Sequence, residues 1–185
     1  MKKIILTLFF TLNLAAFLSC NCPDPTYYDY SGIELKVFND KLSIKDSLAF
    51  GIQYKGTEYL LERSISFDFS NKMYAAVDCT GEGELGEKYP LTKISIKSNA
   101  DFNDQFPAGT NLNSIIGARG GVSKVDGRYV DRYGKISDFM PHDINLGYMY
   151  ISSQPTKSKT HVFTIEIEKS NGSILTATSK PVVWQ

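Results

Sequence analysis

The chain is poor in the residue types that most enzymes and metal sites draw on. Its 185 residues hold two histidines, His142 and His161, three cysteines and one tryptophan. Neither histidine stands at a spacing with Cys or Glu that would build a zinc site. Gly-x-Ser-x-Gly and His-Glu-x-x-His are both missing. Gly120-Gly121 neither follows a clear strand nor opens a long helix, so it is no phosphate loop. Charge of one sign is missing too. The 20 basic and 20 acidic residues cancel. Without residues 1–19, which carry Lys2 and Lys3, 166 residues remain with 18 basic and 20 acidic side chains, a net charge of −2. Nothing in that balance attracts nucleic acid. No cofactor and no metal is expected. An enzyme whose site folding assembles from distant loops stays open as an alternative.

The one long apolar run lies at the start, in MKKIILTLFFTLNLAAFLSCNC. Lys2 and Lys3 form a basic n-region and Ile4 to Leu18 an apolar h-region. Fifteen helical residues reach about 22 Å, short of the roughly 30 Å hydrocarbon core, so a secretory signal fits better than a membrane span. Phe17-Leu18-Ser19-Cys20 resembles the lipobox of bacterial lipoproteins, although Phe17 and Leu18 depart from its usual Leu and small residue. The resemblance implies diacylglycerol on the Cys20 sulfur and cleavage before it. An ordinary cleaved signal is the other reading, and Phe17 is a poor −3 residue for one. Several acyl chains on one cysteine anchor firmly, since each buried CH₂ contributes about 0.8 kcal/mol. The expected organisation is a lipoprotein signal at 1–19, a lipidated leader at 20–31 and a single domain at 32–185.

With Cys20 acylated, Cys22 and Cys79 are the remaining thiols in an oxidising compartment, and an even remainder suggests a bridge. A buried free Cys79 and an unpaired Cys22 are the alternative. Tyr and Phe, 11 each, together with alternating Ile and Val favour strands. Ile33, Leu35 and Val37 share a face, as do Leu48, Phe50, Ile52 and Tyr54. Lys55-Gly56-Thr57 reads as a turn, after which Tyr59 to Phe69 returns antiparallel. Met73 to Cys79 is a weaker strand. Gly81 to Glu87 is a solvated loop, and Leu91 to Ser98 a clear strand. Leu146, Tyr148 and Tyr150 begin another. Thr160 to Ile167 and Ser173 to Thr178 form a hairpin. A three-residue loop, Ser170-Asn171-Gly172, sets Ile167 against Leu175 and Ile165 against Ala177. A two-residue turn would set core residues against polar ones, so a G1 bulge with Gly172 at positive φ is expected. Pro181 to Gln185 reads as an edge segment.

Between the strands, Asn99, Asp101, Asn103 and Gln105 suggest a calcium loop only superficially, since Gly and Glu are missing from its sixth and twelfth positions. Thr110 can cap one or two helical turns that pack Leu112, Ile115 and Ile116. The Pro-Ala-Gly-Thr-Asn-Leu-Asn stretch at 107–113, with a strand near the start and the final hairpin, resembles small lipoproteins of Bacteroidota that share a domain of unknown function. That resemblance supports the lipobox reading, because signals in that phylum are looser before the cysteine. It implies the cell envelope and an outer-membrane anchor, but no activity and no site residue. Exported relatives often carry an acidic cluster after the cysteine. Here a single Asp24 follows, so the periplasmic or surface face is left undecided.

Residues 117–135 hold five glycines, five basic residues and two acids. Val122 to Asp131 can form a small hairpin about Asp126-Gly127. Arg119, Arg128, Tyr129, Arg132 and Tyr133 make a candidate ligand-facing loop, since tyrosines interleaved with arginines suit a sugar or an anion; tyrosines covering the sheet are the plainer reading. Many strands and one short helical stretch near 110–116 argue a mainly β fold, an antiparallel β-sandwich, with the immunoglobulin-like arrangement as one candidate. The expected role is a noncatalytic lipid-anchored module that binds a glycan or an envelope protein. The alternative is an envelope enzyme acting on glycan or peptide.

Overall fold

A computed structural model describes residues 25–43, 46–61, 82–125, 128–141 and 144–185, with the backbone alone for 120–125, 128–131 and 145. The signal, Cys20, Cys22, Cys79, the segment from Met73, the Asp126-Gly127 turn and His142 lie outside the described residues. The strands in chain order are β1 (Thr26–Val37), β2 (Lys41–Leu42), β3 (Leu48–Leu61), β4 (Leu91–Ser98), β5 (Ile116–Val125) and β6 (Arg128–Lys135). They continue with β7 (Asn145–Ile151), β8 (Thr160–His161), β9 (Phe163–Lys169), β10 (Ile174–Thr178) and β11 (Val182–Trp184). One 3₁₀ turn, Ile136–Asp138, is the longest helical piece among the described residues. No described helix is long and apolar enough to cross a membrane.

Two compact units are distinguished. In the first, described at 25–29, 59–61 and 82–88, a turn docks on the start of β1. Leu85 N–H donates to the Thr26 carbonyl at 3.0 Å, Tyr28 N–H to Gly86 at 2.9 Å and Lys88 N–H to Tyr28 at 2.9 Å. This matches the loop expected from Gly81 to Glu87.

The second unit, Tyr30–Glu58 with Tyr89–Gln185, is the sandwich. One sheet runs β1-β3-β7-β5-β6 and the other β10-β9-β4. Lettered A-B-E-D and G-F-C with β6 beyond D, this strand order is the same as that of a constant-type immunoglobulin sandwich. The inner faces meet where Phe50 of β3 stacks on Phe163 of β9, centroids 6.4 Å apart. Leu48, Ile96, Ile116, Met149, Ile151, Ile165 and Ile167 fill the layer between the sheets and are fully buried. A third small sheet, β2-β11-β8, places β11 in the middle, parallel to β2 and antiparallel to β8. The chain end is thus a central strand instead of an edge, because Val182 and Trp184 bury their side chains and both neighbours pair with its backbone.

The terminal hairpin takes the expected register, Ile167 opposite Leu175 and Ile165 opposite Ala177, with Gly172 at φ 82°. Other expectations are corrected. β1 begins at Thr26, so residues 26–31 belong to a strand and not to a leader; Tyr30 stacks on Tyr54 at 4.0 Å. Lys55-Gly56-Thr57 does not reverse the chain. β3 runs straight through it, with Gly56 at φ 63° and its carbonyl accepting from Ser31 Oγ at 3.3 Å. The glycine bends the strand beside Ser31 where a Cβ would strike that hydroxyl.

The helical stretch near 110–116 is a single turn, Ile115 N–H to the Leu112 carbonyl, before β5 begins. The segment instead covers the free edge of β4. Leu112 N–H donates to the Ile96 carbonyl at 2.8 Å, and Gly109 N–H to Ser98 at 2.8 Å. The Asn113 carboxamide acts as one further peptide unit: its Oδ1 accepts from Ile96 N–H at 3.2 Å and its Nδ2 donates to the Ile94 carbonyl at 2.8 Å. An edge satisfied in this way cannot recruit another chain.

Candidate binding face

Alternation along the strands decides what each sheet shows outside. On β3, Leu48, Phe50 and Ile52 point inward, which turns Ala49 and Gly51 outward. On β7, Met149 and Ile151 are fully buried, so Tyr148 and Tyr150 face out. Leu146 is also buried, because the register between β5 and β7 shifts after Met149. The three residues therefore do not share one face, as simple alternation from Leu146 to Tyr150 implied.

The outward residues form an aromatic row. Phe38, just beyond β1, donates its N–H to the Ala49 carbonyl at 3.0 Å. Its ring leans across Gly51, where a Cβ would lie 3.3 Å from Cζ, and stacks against Tyr148 with centroids 6.4 Å apart. Tyr148 meets Tyr150 at 6.3 Å. Tyr150 sits opposite Gly117, and a Cβ there would meet its Cζ with Cε1 and Cε2 both at 2.6 Å. Equal distances to the two Cε atoms mean that the ring lies flat on Gly117. The Phe38 ring and the Gly147 carbonyl thus crowd Gly51, and the Tyr150 ring rests on Gly117. Phe38 is 59% exposed and Tyr148 49%.

The expected loop at 119–133 is a hairpin, β5 with β6, because its residues pair from Gly117–Lys135 to Val125–Arg128. A register shift between Gly120 and Val122 places the bulge at Gly121. The hairpin divides the five candidates. Arg119 and Tyr133 are a cross-strand pair on the same outward face as Gly117, and Tyr133 is 67% exposed. Arg132 turns to the other face, its guanidinium 5.3 Å from the Phe139 ring. Arg128 and Tyr129 pair with Val125 and Lys124 at the far end of the hairpin. Two of the five join the aromatic row; Phe38, Tyr148 and Tyr150 join it from strands that gave no such signal.

Charge on this face is uneven. Among its described residues, Glu34 pairs with Lys55 at 2.7 Å, which holds the Glu34 carboxyl below its ordinary range. Alternation also puts Lys36, Arg119 and Lys135 on this face. Lys36 precedes Phe38 by two residues on the same side, and Lys135 stands opposite Gly117 beside the Tyr150 ring.

Comparison with protein families, curated proteins and solved structures finds no match to this chain.

Two other places carry chemistry-bearing residues. His161 is fully buried among Phe102, Phe163 and Trp184. Its Nε2 lies 2.8 Å from the Ser158 carbonyl, which can only accept, so Nε2 bears the proton. Nδ1 then accepts from Ser98 Oγ at 2.8 Å. Burial lowers its pKa, against the smaller opposite pull of the Ser158 carbonyl. A neutral imidazole and hydroxyl sealed in aromatic packing form a core pair and no accessible nucleophile. On the outer face of β10-β9-β4 lies a concavity of about 270 Å³. Its charges answer one another: Lys97 pairs with Glu166 at 2.6 Å, and Lys93 stands opposite Glu168.

Proposed function

We propose that the chain is a noncatalytic binding module, held at the envelope through lipid on Cys20, that works through the outer face of its five-stranded sheet. The observation that carries this reading is the row Phe38–Tyr148–Tyr150, with Phe38 beside Gly51, Tyr150 on Gly117 and Tyr148 between the two rings. Exposed apolar surface of this kind marks a contact site more often than a solvated face. Aromatic rings covering glycines also steady a sheet. Phe38 does so at Gly51, yet at 59% and 49% exposure Phe38 and Tyr148 leave much of their rings to solvent. The Cys20 signal supplies the location, the outer membrane of an envelope, with lipid as the membrane partner.

The anchor has a direct test. Cys20→Ala in the full chain should move the protein from the membrane fraction to the soluble fraction. Retention of that variant in membranes until detergent is added would contradict the reading.

A further inference from the structure

Resting on that binding-module reading, we infer that the face takes an acidic polysaccharide. The argument joins ring geometry to charge. A pyranose ring presents a patch of axial C–H groups that packs flat on an aromatic face, and successive sugars repeat that patch along a chain. Phe38, Tyr148 and Tyr150 supply such faces at successive spacings of 6.4 and 6.3 Å across β3 and β7. Tyr150 has one side against Gly117, so its other side is the one a ligand meets.

Charge then selects among glycans. The aromatic row is bordered by Lys36 at the β1 side and Lys135 at the β6 side, with Arg119 beside Tyr133. Glu34, an acid on this face, is already paired with Lys55. The remaining cations sit on a mature chain whose net charge is −2, so the basic patch is local and runs against the overall balance. Uronate carboxylates along a polysaccharide would meet Lys36 and Lys135 while the sugar rings stack between them. Arg119 is engaged within the protein, and the selecting charge is that of the two lysines. The contact is exposed, so its electrostatic part weakens as salt shortens the reach of each charge.

Titration calorimetry on the full chain in nonionic detergent tests this, with oligogalacturonate, dextran oligomers and oligothymidylate as probes. Oligogalacturonate should bind, and dextran at least tenfold more weakly. Tyr148→Ala should weaken oligogalacturonate roughly tenfold, about 1.4 kcal/mol. Tyr148→Phe, which keeps the ring, should stay near the native affinity. Lys36→Gln with Lys135→Gln should weaken binding several-fold and flatten its salt dependence. An unchanged thermal transition in Tyr148→Ala shows that the variant is folded, as expected for so exposed a residue. No binding of oligogalacturonate, equal binding by folded Tyr148→Ala, dextran as tight as the uronate, or oligothymidylate tighter than both would each overturn the assignment. Fractionation reads the anchor separately, so a Cys20-anchored chain that ignores oligogalacturonate sinks the acidic glycan alone.

Discussion

His161 shows at the scale of one residue how burial becomes pH dependence. The folded protein holds the imidazole neutral, with its proton on Nε2 and its pKa lowered chiefly by burial. The unfolded chain protonates it near pH 6.5. As pH falls through and below that value the unfolded state binds more protons than the folded one, so stability is full above it and declines below. The urea midpoint should therefore fall between pH 7.5 and pH 5.5, and His161→Phe should reduce that fall. A native midpoint that is flat or rises on acidification would show that His161 is not held neutral. Thr160 to Ile167 reads as a strand, and alternation along it puts His161 in phase with Phe163 and Ile165, so its burial was legible. Its partners were not, because Ser98 and Trp184 arrive from other strands, and periodicity carries no information about which strand lies across the core.

Among the elements, local chemistry was legible where it outweighed everything else. The terminal hairpin follows from matching Ile165 and Ile167 to Ala177 and Leu175, because a slip of one residue would turn every side chain over. Glycine misled where its role was nonlocal. Gly56 looked like a turn, yet its positive φ bends a continuous strand beside Ser31. The stretch near 110–116 looked helical, yet the backbone at Gly109 and Leu112 and the Asn113 side chain complete the edge of β4. Thr110 does not cap a helix; its hydroxyl donates to the Pro107 carbonyl at 2.6 Å. Asn113→Ala removes both carboxamide bonds and leaves Ile94 and Ile96 peptide groups without those partners. A loss of about 1–3 kcal/mol is expected by urea denaturation. Concentration-dependent association in size-exclusion chromatography is expected with it, since an uncovered edge pairs with another. A variant as stable and as monomeric as the native chain would contradict the edge-covering role.

For the molecule as a whole, the mainly β sandwich class was within reach of strand counting, whereas the strand order and the face it builds were not. Arg119 and Tyr133 were legible as aromatic and basic residues close in sequence. Phe38, Tyr148 and Tyr150 were separately read as strand residues, and only the pairing of β3, β7 and β5 brings them onto one face. The glycines beside Phe38 and Tyr150, Gly51 and Gly117, lie on different strands and carry no motif. The central claim is that this row of rings is the surface the module works through. Nuclear magnetic resonance of the full chain in nonionic detergent, with tyrosine rings labelled, tests it most directly during titration with trigalacturonate. The ring signals of Tyr148 and Tyr150 should shift saturably and together, while Tyr30 and Tyr54, stacked on each other at 4.0 Å, stay in place. Trigalacturonate that binds by calorimetry yet leaves the Tyr148 and Tyr150 signals unmoved, or shifts Tyr30 and Tyr54 instead, would contradict it.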